Sequence, residues 1–176
     1  MTQVKSFHLR SFKPEDLQSV MSINLKCLPE NYSSQFFIEL YESFPKTFIV
    51  AEAAAQIIGY IMCRIETGIS EFKRPIFGIA RKGHIVSIAV LPEYRRQGVG
   101  KELINQATRG MAEYGATECY LEVRTINEPA VNLYKRLGFE IVRRISGYYY
   151  DGADAYVMAR KLEKRSGKSV SHFEAF

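Results

Sequence analysis

Cysteine occurs only three times in the 176 residues, at Cys27, Cys63 and Cys119, far apart and with no C-x-x-C or Cys/His spacing. That scarcity excludes a disulfide framework and a structural zinc site, so no metal is expected. Long apolar runs are missing as well, since none reaches the roughly 18–20 residues that a membrane span requires. The first residues, Met1-Thr-Gln-Val-Lys-Ser-Phe-His8, lack the charged-then-apolar pattern of a secretory leader. The expectation is a cytoplasmic chain with no membrane contact. Internal repeats and low-complexity tracts are absent too. With 47% hydrophobic and 24% charged residues the composition is that of a folded domain, not of a disordered chain.

The length suits one domain and not two large ones. Lys and Arg number 24 against 19 Asp and Glu, a formal charge of +5 that favours an anionic partner without naming it.

The periodicity gives an order of elements. Pro14-Glu-Asp16 opens a helix whose apolar positions are Leu17, Val20, Met21, Leu25 and Leu28. A second helix is expected over Ser34–Phe44, ended by Pro45. Thr47–Ala51 and Ile57–Ile65 read as a hairpin turning near Ala54–Gln56, and residues 67–83, with three glycines and a proline, read as a loop. His84–Val90 is nearly continuously apolar, the look of a central strand covered on both faces. A helix over Gly100–Tyr114, a strand over Cys119–Val123, a helix over Pro129–Leu137 and strands over Phe139–Val142 and Asp154–Leu162 complete the order. The expected fold class is α/β, a mixed central sheet flanked by helices. A polar tail, residues 163–176, is expected to lie outside a domain spanning residues 1–162.

The strongest chemical signal is the turn after the central strand, Tyr94-Arg-Arg-Gln-Gly-Val-Gly-Lys101. Gly98 and Gly100 let the backbone turn closely. The first N–H groups of the next helix then form an anion cradle beside its positive dipole end, with Arg95, Arg96 and Lys101 adding charge. The P-loop pattern fails here, because Arg95 stands where Gly is needed and Glu102 where Ser or Thr is needed. The dinucleotide pattern G-x-G-x-x-G fails at Leu103. A solvated basic turn shaped by its glycines is the bland alternative.

Arg95-x-x-Gly98-x-Gly100 after a strand ending in Ala89-Val90, together with Asn127-x-x-Ala130-x-x-Leu133-Tyr134-x-x-Leu137-Gly138-Phe139, resembles the GNAT superfamily of acetyl-CoA-dependent N-acetyltransferases. Within it, Cys27-Leu-Pro-Glu-Asn-Tyr32, Gly83–Val90, Leu121-Glu-Val-Arg124 and Tyr149-Tyr-Asp-Gly-Ala-Asp-Ala-Tyr156 are similar to protein N-terminal acetyltransferases of the bacterial RimI type and of the archaeal and eukaryotic NatA catalytic-subunit type. Ala153 departs from that group, which usually carries Glu there.

The resemblance implies the GNAT fold and a protein N-terminal acetyltransferase that uses acetyl-CoA by direct attack in a ternary complex. Nothing in the chain looks like a covalent acyl-enzyme nucleophile with an orienting base. It implies that the coenzyme's pyrophosphate lies on the turn formed by Arg95, Arg96, Gln97, Gly98, Val99, Gly100 and Lys101. The pantetheine arm would run along Ile88, Ala89 and Val90, with Asn127 and Tyr134 also contacting the coenzyme. His84 and Glu122 match a pair of water-holding residues that remove the amine proton, and Tyr134 matches the acid near the thioester sulfur. Glu30 is a second candidate base or a substrate anchor. Leu28, Pro29, Glu30, Tyr32, Tyr149 and Tyr150 match substrate-binding positions.

Structural readings stay open beside these. His84 can be a satisfied strand-edge histidine, Glu122 a solvent-facing strand residue, Tyr134 a core aromatic, and Tyr148-Tyr-Tyr150 an aromatic strand with rings on alternate faces. The cysteines read as core residues. Acetylation of lysine, a polyamine or another small amine is the alternative activity, although no carboxylate cluster accompanies Glu30. Arg160-Lys-Leu-Glu-Lys-Arg-Ser-Gly-Lys168 raises a distant alternative, a nucleic-acid-binding module. No specific nucleic-acid partner is expected, and ribosome association is one reading of that basic stretch. Protein or peptide N-termini are the expected substrate partner.

Overall fold

A computed structural model describes residues 6–72 and 78–163. The basic tail therefore lies outside the described residues, apart from Glu163 and its beginning at Arg160. In chain order the elements are β1 (His8–Ser11), α1 (Leu17–Cys27), α2 (Ser34–Ser43), β2 (Ile49–Ala53), β3 (Gln56–Ile69), β4 (Ile79–Val90), α3 (Val99–Glu113), β5 (Glu118–Arg124), α4 (Glu128–Arg136), β6 (Glu140–Ile145) and β7 (Ala155–Lys161). The strands form one mixed sheet in the order β1-β2-β3-β4-β5-β7-β6. Only β4 and β5 run parallel, joined through α3, and the other neighbours are antiparallel. The expected α/β class holds. Among the described residues, no helix is long and apolar enough to cross a membrane.

The helices form where apolar residues recur on one face. On α3, Leu103, Ile104, Ala107 and Met111 are fully buried against the sheet, and Gly115 past its end adopts φ +81°, the left-handed conformation that closes a helix. Ser33 caps α2 by accepting from the Phe36 N–H. Phe12 stacks on Phe48 with ring centroids 4.0 Å apart, and Phe37 and Tyr60 extend the same buried cluster beneath α1 and α2.

Two expectations are corrected. The ends of the stretch 67–83 are strand and not loop: β3 runs to Ile69 and β4 starts at Ile79, paired through Glu66↔Lys82, Thr67↔Arg81 and Gly68↔Ala80. The glycines there misled. A Cβ on Gly83 would stand 2.2 Å from the Met111 sulfur, so that glycine marks close packing of α3 on the sheet and not a turn. The short strand β1 was not expected, because its four residues are exposed at the ends and only half-buried in the middle, and carry little apolar signal.

The sheet is interrupted at its centre. β4 and β5 pair only over Lys82↔Glu118, Gly83↔Cys119 and His84↔Tyr120, yet β4 continues to Val90 and β5 to Arg124. The two strands splay apart, and the sheet opens like a V from that last rung.

Candidate active site

The opening is built by strands that keep their outer partners. β4 stays paired to β3 as far as Val90, and β5 to β7 as far as Arg124. A bulge at Val86 shifts the β3–β4 register between Met62↔Ser87 and Cys63↔Ile85, which re-aims the side chains beyond it. The Tyr32 hydroxyl donates to the Val86 carbonyl over 3.3 Å, so the segment between α1 and α2 is pinned across the opening.

Two cavities occupy the V. The first, about 460 Å³, has Ile88, Ala89 and Val90 as one wall, the turn after β4 as its floor, and residues of α4 as its other wall. In that turn Arg96 adopts φ +63° and Gly98 φ +87°, with Gly98 immediately before the first residue of α3. No atom lies within 4 Å of the position a Cβ on Gly98 would take, so the free N–H groups at the start of α3 stand beside open space. Arg95, Arg96, Gly98, Val99, Gly100 and Lys101 all line this cavity. Gln97 does not. Its side chain turns back to donate to the Glu93 carbonyl over 3.2 Å, which leaves only its backbone to serve the turn. Asn127 lines both cavities, but its Oδ1 caps α4 by accepting from the Ala130 N–H, so contact with a ligand falls to its Nδ2. A helix start with guanidinium and ammonium groups around it fits a phosphorylated molecule such as acetyl-CoA.

The second cavity, about 480 Å³, continues from the first. Leu28, Pro29, Glu30, Tyr32, Glu122, Tyr149 and Tyr150 line it, and Tyr134 lines both cavities and so stands at their junction. Burial pushes the Tyr134 phenol well above its ordinary range, with the Cys119 thiol adding to the shift. Tyr134 therefore keeps its proton and is a donor.

His84 and Glu122 meet directly, Nε2 to Oε2 at 2.7 Å. This corrects the expectation of a water held between them, because that distance leaves no room for one on the line joining the two atoms. Glu122 lines the cavity, whereas His84 sits behind it, 8% exposed. In the Nε2–H tautomer His84 donates this hydrogen bond and the Glu122 carboxylate accepts it.

Glu30 is committed elsewhere. Its Oε1 lies 2.7 Å from Arg124 Nη2, while Arg124 Nη1 lies 2.7 Å from Asp151. The same guanidinium stands over the Tyr149 ring, 4.0 Å from its centre. Arg124, Asp151 and Tyr148 were not expected at the site. Arg124 could have been found, because it comes two residues after Glu122 on β5 and so points to the same face.

The three tyrosines lie in a loop between β6 and β7 and not on a strand, so the expected alternation of rings across a sheet does not apply. Gly147 and Gly152 turn that loop with positive φ, and Asp154 accepts from the Gly147 N–H at 2.9 Å. Burial first, and then Glu30, raise the Tyr149 phenol. Burial and then Glu122 raise that of Tyr148. Tyr150 is fully exposed at the rim.

Cys63 and Cys119 are buried core residues as expected, and burial pushes the Cys119 thiol up to about 12. Cys27 differs. It is half-buried, lines both cavities, and its Sγ lies 3.7 Å from the Val90 carbonyl.

The sequence profile of the acetyltransferase (GNAT) family matches residues 17–139. The chain is 46% identical over 159 residues to an N-alpha-acetyltransferase of Sulfurisphaera tokodaii, covering 90% of this chain and 95% of that protein. It is 38% identical over 160 residues to the N-alpha-acetyltransferase daf-31 of Caenorhabditis elegans, covering 89% and 84% of the two chains. Among solved structures it is similar to Ard1 from Thermoplasma volcanium, with a TM-score of 0.76 and 30% identity over 89% of this chain and 98% of that one. It is also similar to Naa20 of Chaetomium thermophilum in complex with a bisubstrate analogue, with a TM-score of 0.78 and 31% identity over 92% and 90%.

Proposed function

The chain belongs to the acetyltransferase (GNAT) family, and from that membership we propose that it transfers acetyl from acetyl-CoA to the α-amino group of proteins and peptides. One observation carries this reading: the V between β4 and β5 joins an anion-binding turn to a second cavity that ends at a carboxylate, with Tyr134 between them.

Acetyl-CoA supplies the activated acyl group. The Arg95–Lys101 turn holds its pyrophosphate, and Ile88–Val90 offer the unpaired side of β4 to the pantetheine arm. The peptide enters the second cavity between the α1–α2 segment, with Leu28, Pro29, Glu30 and Tyr32, and the β6–β7 loop, with Tyr149 and Tyr150. Phenol groups there provide polar contacts on an apolar wall, which suits a main chain whose first side chain is being tested.

An amine attacks only as the free base. An α-amino group titrates at about 7.7–8.0 and a lysine at about 10.4, so an N-terminus asks much less of its acceptor at neutral pH. Glu122 faces the cavity and receives the proton, directly or through a water on its cavity side, and the hydrogen bond from His84 fixes its orientation. Tyr134, kept protonated by burial, donates to the departing sulfur. No described side chain in the site pairs a nucleophile with an orienting base, since the Cys27 thiol, which lines both cavities, faces the Val90 carbonyl, so amine and acyl donor react directly in a ternary complex. Because Glu30 is neutralised by Arg124, its role is to hold the wall of the substrate cavity and not to act as base.

We propose that the domain spans residues 1–162 and that the tail, residues 163–176, takes no part in the chemistry.

A panel of peptides varying in their first two residues, each free or blocked at the N-terminus and each carrying an internal lysine, tests the proposal. Mass spectrometry should place acetyl on the α-amine of free peptides only. Acetylation of lysine in blocked peptides at a comparable rate, or turnover confined to small amines, would overturn it.

A further inference from the structure

The last rung of β4–β5 pairing sets His84 beside Tyr120. Their rings are parallel within 2°, with centroids 4.5 Å apart. His84 leaves its Nδ1 buried and without a hydrogen-bond partner among the described residues. A histidine that must hold a fixed orientation at a site is ordinarily gripped through its second nitrogen, by a carbonyl or carboxylate that fixes ring plane and tautomer. Here that hold is missing, and Glu122 on Nε2 restrains the ring at one atom only.

Tyr120 is itself firmly held. Its hydroxyl lies 2.5 Å from Glu66 Oε1, and Glu66 is flanked by Arg64 Nε at 3.3 Å and Lys82 Nζ at 3.8 Å. Burial and the Glu66 carboxylate keep the phenol protonated, so Tyr120 is the donor. Lys82 Nζ also stands over the Tyr120 ring at 4.6 Å, and Val157 and Ala159 of β7 pack with Tyr120 in a small separate apolar cluster. Register places the anchors on one face, since Arg64 is opposite His84 and Glu66 is opposite Lys82. The ring plane of Tyr120 is thus set by strands β3, β4 and β7, none of which touches the substrate through these residues.

We infer that Tyr120 is a positioning residue for the reaction: its ring, anchored on Glu66, fixes the plane of His84 by parallel stacking, in place of a hydrogen bond to Nδ1, and so keeps Nε2 aimed at Glu122. Tyr120 does not line either cavity and acts only through His84. The inference rests on the proposed role of His84 and Glu122. The ring of Tyr120 carries the effect, and its hydroxyl serves to hold that ring.

The test combines kinetics with imidazole NMR on protein labelled with 15N-histidine. The chain has only three histidines, and His84→Gln identifies the His84 signals. Wild type should show a single Nε2–H tautomer. Tyr120→Leu, or Tyr120→Met if the first fails to fold, should lower kcat about tenfold, leave KM for acetyl-CoA within twofold, and average the His84 signals between tautomers. Tyr120→Phe keeps the stack and should retain the tautomer and at least about a third of kcat. A folded Leu or Met variant with wild-type kcat and tautomer overturns the inference. So does one that loses activity while the tautomer is unchanged, or a Phe variant as impaired as Leu. If His84→Gln itself retains full kcat, the reading of His84 and Glu122 has failed, an outcome separate from the failure of Tyr120.

Discussion

Glu30 Oε1 lies 2.7 Å from Arg124 Nη2, an ion pair between residues 94 apart in the chain. It ties the segment between α1 and α2 to the end of β5, and Asp151 on the same guanidinium adds the β6–β7 loop. One side chain therefore links both walls of the substrate cavity to each other.

Arg124→Gln should loosen both walls together. The expected result is a peptide KM raised about 5- to 30-fold, from the loss of the ion pair with Glu30, the more exposed one with Asp151 and the cation–π contact with Tyr149. KM for acetyl-CoA should stay within twofold, because Arg124 does not line the coenzyme cavity. Steady-state kinetics with each substrate varied in turn would check this, and an equal rise in both constants would contradict it.

Gly98 carries the phosphate turn. Its φ of +87° disfavours any L side chain by roughly 1 kcal/mol, and a Cβ there would enter the space above the α3 N-terminus. Gly98→Ala should raise the Kd for acetyl-CoA about tenfold in calorimetry, with little change in kcat at saturation. Unchanged coenzyme affinity would remove the turn from the binding site.

Asp16 governs part of the acid stability. Arg10 grips its two oxygens at 2.7 and 2.8 Å, and the Lys13 N–H adds a third contact at 2.8 Å. The Arg10 guanidinium, followed by that N–H, holds the carboxyl below its ordinary range against the opposing effect of burial. The folded value lies below the unfolded one of about 3.9, so the contribution is present at neutral pH and disappears as the pH falls through the folded value. Denaturant melts should find Asp16→Asn less stable than wild type at pH 7, with the gap narrowing below about pH 4. A gap that does not depend on pH would assign the effect to shape and not to charge.

Much of the fold was legible in the residues. The apolar run His84–Val90, the amphipathic period of α3 and the glycines of the phosphate turn are local signals, and each of those elements stands where the sequence placed it, to within a residue or two at the helix ends and with β4 beginning earlier. The long β3–β4 hairpin was missed because Gly68 and Gly83 read as turn residues when they are strand residues, Gly83 at a site of close packing. The partnership of Arg124 with Glu30 and Asp151, the direct contact of His84 with Glu122, and the parallel stack on Tyr120 depend on which strands lie side by side. No window of sequence contains that information. Gln97 was assigned to the coenzyme by its place in a motif, while its side chain is spent on the Glu93 carbonyl.

The role of Glu122 is the point on which the catalytic mechanism depends, and Glu122→Gln tests it most directly because the amide keeps the shape and polarity of the side chain while removing the proton acceptor. With a peptide carrying a free α-amine at neutral pH, kcat should fall at least about 100-fold, while the Kd for acetyl-CoA stays within twofold. A folded Gln variant with kcat within threefold of wild type would contradict the mechanism.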